Sequence, residues 1–159
     1  MGLFGFGKKK EMDVVKSDEN KAKMRALFNQ VVDNGDSYKV IYGYTSDVKN
    51  SNYGFATKTT YSYGSVIVGY REEDMSIVLL ETDPNISGCG DAHYYKKNEI
   101  KKASFNDKKA MHEIQLTGGL RAVKVLFGVM DHSDFEHLAY ITQKDEFWEW
   151  NAFWEKFRA

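Results

Sequence analysis

The feature that most constrains the fold is the long middle segment, residues 38–129, in which apolar and polar side chains alternate with the period of a β-strand. Clusters of turn-forming residues, such as REED and NDKK, divide this segment into about seven strands. Because short turns join neighbouring strands in antiparallel pairs, the segment predicts antiparallel sheets.

A helix is predicted on the N-terminal side of these strands, over residues 17–35. Ser17 is the predicted N-cap, and Asn34-Gly35 supplies a left-handed stop. One face of this helix is apolar, with the spacing of a helix that packs on a core; it carries Met24, Leu27, Phe28, Val31 and Val32.

The last stretch of the chain is predicted to be a second helix with an aromatic face. Thr142 and Asp145 have the spacing of a capping box at its start. The aromatic residues repeat at helical spacing and are Phe147, Trp150, Trp154 and Phe157, with Phe153 beside them. Two small antiparallel sheets packed on each other leave an open end, and this aromatic face is predicted to plug it.

These elements together predict a mostly β (α+β) fold. It is a two-sheet antiparallel sandwich, or partly open barrel, of about seven strands, capped by a C-terminal helix and preceded by an extra helix. A chain of 159 residues fits one such domain, over residues 17–159. Residues 1–16 are predicted to be a flexible tail.

Composition excludes several classes of function. A net charge of −1 gives no general attraction to nucleic acid, so no nucleic-acid partner is expected. Cys89 is the only cysteine, which rules out an internal disulfide or a cysteine zinc site and favours a cytoplasmic location. No phosphate-cradling or dinucleotide-binding glycine motif occurs, and no cofactor is expected.

The tail opens with MGLFGFGKKK, in which the apolar residues precede the lysines. This is the reverse of the order in a secretory signal, and the apolar part is shorter than an h-region. Peripheral membrane attachment is the alternative to a solvated tail, since three apolar side chains could enter a bilayer while three lysines meet anionic headgroups.

The segment YYKKNEIKKASFNDKKAMHEIQLTGGLRAVKVLFGV, followed by a closing helix, resembles the bacterial pleckstrin homology (PH)-like domain family. The resemblance extends over residues 38–157 and implies a PH-like domain that binds other proteins, with self-assembly as a further expectation. The helix at 17–35 and the insertion DHSDFEHLAYI depart from the family pattern. A different sandwich or barrel is the alternative.

Candidate site residues are few. Inositol-phosphate-binding relatives use basic residues in the first hairpin, where this chain offers only Lys49 and Lys58. The segment MDHSDFEH contains His132 and His137 among carboxylates, but without a recognised metal-ligand spacing, so no metal is expected. Cys89 has His93 four residues away, yet nothing in the sequence activates the thiol.

Lysines are dense around the middle strands, at positions 96, 97, 101, 102, 108 and 109. They are predicted to form a solvated sheet edge that discourages aggregation. The sequence therefore predicts a non-catalytic cytoplasmic binding or scaffolding module with a protein partner, through a sheet edge or the groove beside the last helix. A peripheral membrane module is the first alternative, and a small ligand-binding protein or hydrolase on another α+β sandwich is the second.

Overall fold

The computed structural model describes residues 13–52, 57–118, 123–135 and 137–159, and for residues 46–52 and 57–63 it describes the backbone only. Most of the predicted tail, up to residue 12, lies outside this description. The predicted fold class is confirmed: the described chain is mostly β, with a seven-stranded antiparallel sheet, one helix before it and one after it.

The elements follow one another in the predicted order. Helix α1 spans Val14–Val31 and helix α2 spans Lys144–Arg158. The strands of the sheet are β1 (Lys39–Asn52), β2 (Thr57–Arg71), β3 (Ser76–Thr82), β4 (Cys89–Lys96), β5 (Lys102–Asn106), β6 (Met111–Gln115) and β7 (Lys124–Val129). A separate two-stranded ribbon consists of β8 (His132–Ser133) and β9 (Ile141–Thr142).

The strand order in the large sheet is β4-β3-β2-β1-β7-β6-β5, and the sheet is not closed into a barrel. Strand β1 joins the two halves, because it pairs with β2 along its whole length and with β7 only at Gly43 and Tyr44. A Cβ atom on Gly43 would lie 2.5 Å from the carbonyl oxygen of Gly128. Glycine at this point therefore allows the two backbones to approach closely.

Helix α1 begins earlier than the sequence predicted. The side chain of Asp13, rather than Ser17, caps it by accepting a hydrogen bond from the Lys16 amide at 3.0 Å. Ser17 lies buried within the helix, where its Oγ accepts from the Thr142 amide at 2.9 Å. Residues 14–16 thus belong to the helix and not to the predicted tail. The helix also ends earlier than predicted: it ends at Val31 with the extended Val32 as its C-cap, so Asn34-Gly35 is not its stop. Asn34 has a left-handed φ of 56° but precedes the separate short 3-10 turn Gly35–Ser37.

Helix α1 covers the outer face of the first half of the sheet. Met24, Phe28 and Val32 are buried there against side chains from β1, β2 and β3. Helix α2 and strands β6 and β7 cover the opposite face. Strands β2 and β3 are therefore buried on both faces, which explains why SVIVGY and SIVLL are continuous apolar runs with no exposed position.

The helix α2 begins one residue later than the predicted capping box required. Thr142 belongs to strand β9, and Gln143 is the N-cap. The buried Gln143 side chain connects the start of α2 to the sheet: its Nε2 donates to the Tyr42 and Met130 carbonyl oxygens at 2.8 and 2.7 Å, and its Oε1 accepts from the Tyr42 amide at 2.9 Å.

Replacing Gln143 with Leu should lower the free energy of unfolding by about 2 kcal/mol, because the buried Tyr42 backbone would lose its partners while the side-chain volume is kept. The exposed neighbouring residue gives the control, since Lys144→Leu should change stability by no more than about 0.5 kcal/mol. Urea unfolding of the two variants measures this difference. Equal effects at both positions would contradict the structural role assigned to the amide.

Candidate functional site

The two end strands of the sheet, β4 and β5, each pair with one neighbour only among the described strands. The pairing of β4 with β3 contains a register shift between Leu80 and Thr82. Such irregularities blunt an edge against further pairing. Strand β5, in contrast, pairs with β6 in unbroken register from Lys102 to Asn106. The regular edge of the sheet is therefore β5.

A groove of about 420 Å³ lies between this edge and helix α2. The sheet side contributes Phe105, Asp107 and His112, and the helix side contributes Asn151, Trp154, Glu155 and Arg158. We call this space the β5–α2 groove. It places a cavity large enough for a side chain directly beside the backbone of an edge strand.

The base of the β5–α2 groove is aromatic. Phe105 and His112 face each other across β5 and β6, with ring centroids 5.1 Å apart. The Trp154 ring lies 4.7 Å from the His112 ring in an edge-on contact. Phe105 is half-buried, whereas His112 and Trp154 are buried. Phe105 is therefore the aromatic residue of the groove with surface left to offer a ligand.

His112 is held as a neutral imidazole. Its Nε2 accepts a hydrogen bond from the indole N–H of Trp150 at 3.1 Å, so the proton must be on Nδ1. Burial lowers the pKa of His112 to about 4, and the backbone of Phe127 opposes only part of that shift. The groove therefore presents no charge at His112 near neutral pH.

Trp154 contributes a second polar feature to the groove. Its indole Nε1 is buried and has no hydrogen-bond partner within the described part of the chain. A buried N–H without a partner costs roughly 1–3 kcal/mol. Asp107 and Glu155, whose carboxylates could accept a hydrogen bond, line the same groove but do not bond to the Trp154 indole.

Helix α2 also exposes an aromatic residue in line with the groove. Trp148 is 63% exposed, the largest exposed aromatic surface among the described residues. It stands at positions i, i+3, i+7 and i+10 with Asn151, Glu155 and Arg158, so it lies on the helix face that borders the groove. An exposed Trp is typical of binding surfaces because it combines a large apolar area with a hydrogen-bond donor.

The two lysines that were considered as ligand-binding candidates lie on the first hairpin. Lys49 is opposite Thr60, and Lys58 is opposite Ser51, in the paired strands β1 and β2. The side chains of both lysines lie outside what the structure describes, so their candidate role in ligand binding stays a prediction.

The two histidines considered as metal ligands are not brought together into a metal site. His132 is on β8, with its Nε2 3.6 Å from Asp134 and its ring against Tyr140. His137 is exposed in the loop that follows. Across the described ranges, no group of three histidine, cysteine or acidic side chains is positioned to hold a metal ion.

Cys89 and His93 both lie on strand β4, where residues four apart are separated by on the order of 13 Å. Cys89 is half-buried and packs against the core beneath α1, whereas His93 is exposed. This spacing is longer than the reach of a hydrogen bond, so the strand does not bring the two side chains into a nucleophile–base pair.

The last helix and a sheet edge could be predicted from the sequence, but the residues that line the groove between them could not. A signal was present, because Trp148, Asn151, Glu155 and Arg158 form a second stripe beside the buried aromatic stripe of α2. The pattern did not indicate which strand this stripe faces.

Comparisons with known proteins add no assignment to this geometry. A scan against protein-family models, a search of curated proteins and a search of solved structures each returned no match. Within the described ranges, neither helix has the length and apolar content needed to cross a bilayer. The groove and the edge strand beside it are therefore the features of this chain that bear on its function.

Proposed function

We propose that this chain is a non-catalytic protein-binding module that takes up an extended segment of a partner along β5, with one apolar side chain of that segment in the β5–α2 groove. The observation that carries the proposal is the juxtaposition of a regular edge strand, an aromatic groove and the exposed Trp148. The seven antiparallel strands and closing helix support a PH-like class for the domain, and the single cysteine supports a cytoplasmic location.

The edge strand would supply affinity. An extended peptide that adds to a sheet edge pairs its backbone amides and carbonyls with those of the edge, whatever its sequence. Strand β5 offers five residues in unbroken register for this pairing, whereas the register shift makes β4 a poorer template. The proposal therefore assigns the partner to one edge of the sheet and not to the other.

The groove and Trp148 would supply selectivity. Binding energy concentrates where a large side chain fills a pocket next to an aromatic or Arg residue of the other protein. The half-buried ring of Phe105 lies at the base of the groove. Trp148 does not line the groove itself, but it is exposed and shares a helical stripe with the groove-lining Asn151 and Glu155. An aromatic or leucine side chain of the partner segment would enter the groove against Phe105, and a neighbouring residue of the segment would contact Trp148.

The proposal can be tested with a peptide that is selected from a random library for binding to the full chain. Its affinity for the Trp148→Ala variant should be at least about tenfold weaker, since interface tryptophans are frequent hot spots. Tyr94→Ala is the matched control, because Tyr94 is 54% exposed on the other edge strand, β4, and its loss should leave the affinity unchanged.

Two results would overturn the proposal. One is a selection that enriches no peptide. The other is an affinity that does not change in Trp148→Ala, or that falls in Tyr94→Ala, since either would assign binding to a surface other than the β5–α2 groove.

A further inference from the structure

The ends of strand β5 are strongly basic. Residues 101–109 contain four lysines and one aspartate, a net charge of +3 in a chain whose total is −1. Lys101 and Lys102 lie at the start of the strand, and Lys108 and Lys109 follow its end. All four lysines are exposed.

These lysines are not neutralised by the surrounding described residues. None of the four takes part in a salt bridge with the described part of the chain. The hydrogen bond from Lys124, with a smaller contribution from the charge of Lys109, lowers the pKa of Glu113, and this carboxylate is already paired with Lys124 at 3.1 Å. The positive charge at both ends of β5 therefore faces solvent.

The other ionisable residues that line the β5–α2 groove add no net charge to offset this. Glu155 pairs with Arg158 at 3.1 Å on the helix. His112 is neutral, because burial lowers its pKa to about 4. Asp107, which is already counted in the net charge of +3, is the only other carboxylate that lines the groove.

Resting on the proposed function, we infer that the partner segment is acidic: an extended peptide with Asp or Glu on both sides of a central apolar anchor. Strand β5 has five residues and is about 17 Å long, so carboxylates flanking a segment of that length reach a lysine pair at each end. Because the two ends carry the same charge, the match holds for either direction of the peptide. Complementary charge of this kind favours encounter and excludes basic competitors.

The four lysines also have an explanation that needs no acidic partner, and the experiment has to distinguish the two explanations. Lysine on an edge strand prevents pairing between copies of the same protein, and that role requires no acidic ligand. It predicts that acidic and neutral peptides bind equally well. A third role, contact with single-stranded nucleic acid, predicts binding of an anionic polymer in place of the peptide.

Three synthetic nonapeptides distinguish these roles on the full chain. They share an alternating Thr/Val scaffold with a central Phe and carry Glu, Gln or Lys near both ends. At about 0.1 M salt the Glu peptide should bind at least about tenfold tighter than the Gln peptide, and the gap should narrow as salt rises. The double variant Lys102→Gln/Lys108→Gln halves the lysine charge at each end of β5 and should at least halve, in free-energy terms, the difference in affinity between the Glu and Gln peptides. The control Lys23→Gln/Lys96→Gln, which changes exposed lysines on α1 and β4, should keep it.

The outcomes separate this inference from the proposed function. One outcome is that the Glu and Gln peptides bind with equal affinity, that both change the NMR chemical shifts of the β5 amides, and that both lose affinity in Trp148→Ala. This outcome would overturn the acidic preference and leave the groove as the binding site. If every peptide changes chemical shifts only outside β5, or changes none, both the acidic preference and the proposed function are overturned. Tighter binding of an oligodeoxythymidine than of the Glu peptide, lost in the Lys102/Lys108 variant, would overturn the inference in favour of nucleic acid.

Discussion

Replacing Trp150 with Ala should lower the free energy of unfolding by about 3–5 kcal/mol, the range for removing a large aromatic side chain from a core. Trp150 has no exposed surface. Its ring contacts Tyr70 from β2 and Phe127 from β7, with centroid distances of 5.3 and 5.8 Å. It therefore joins the two halves of a sheet that meet through only two residue pairs of β1 and β7.

The same helix contains the matched control for this prediction. Trp148 is 63% exposed, so Trp148→Ala should change the free energy of unfolding by no more than about 0.5 kcal/mol. Urea unfolding of both variants gives the comparison. Small and equal effects would mean that the buried face of α2 does not hold the sheet halves together. A large effect at Trp148 would argue against its assignment to a binding surface.

Acidification should destabilise the protein through His112. Burial lowers the pKa of this imidazole from 6.5 to about 4, so between these values the unfolded chain binds more protons than the folded one. Stability therefore rises with pH across this window. The contribution is complete above pH 6.5 and decreases as pH falls, and below pH 4 about 3 kcal/mol has been lost. Protonated Nε2 would also face the Trp150 N–H donor with a second donor.

Comparing the wild type with His112→Phe isolates this effect from that of the carboxylates. The variant keeps an aromatic ring but has no group to titrate. The stability advantage of the wild type should therefore decrease by about 3 kcal/mol between pH 7 and pH 4. Urea unfolding at several pH values measures it. Parallel pH profiles for the two proteins would contradict the buried, neutral state of His112.

The strand pattern and the aromatic face of the last helix could be predicted because each depends on local periodicity. Alternation between turn signals located the seven strands, and the spacing of Trp150, Trp154 and Phe157 indicated the face that is now seen buried. The continuous runs SVIVGY and SIVLL contained more information than alternation alone. Runs of this kind are typical of strands buried on both faces, which is the arrangement that α1 completes.

The ends of the helices were harder to predict, because distant partners decide them. Ser17 and Thr142 each fit a local capping pattern, yet they hydrogen-bond to each other across more than a hundred residues of sequence. Asp13 and Gln143 stand at the caps in their place. Local preference for a capping residue is worth about 1 kcal/mol, which a buried long-range hydrogen bond can outweigh.

The candidate site was beyond prediction from one strand or one helix. The residues of the β5–α2 groove come from segments about forty residues apart, and sheet order determines which of them meet. The lysines around β5 were correctly placed at a sheet edge, since β5 ends the strand order. Whether those lysines attract a partner or only prevent self-pairing depends on the groove beside them, which no sequence pattern of β5 alone indicates.

Hydrogen exchange of the β5 amides, with and without a selected peptide, tests the central claim most directly. If a partner strand adds to this edge, alternate amides of Lys102–Asn106 that exchange rapidly in the free chain should become at least about tenfold slower in the complex. The amides of β4 should not change. Unchanged exchange along β5 in a saturated complex, or new protection on β4, would contradict strand addition at β5.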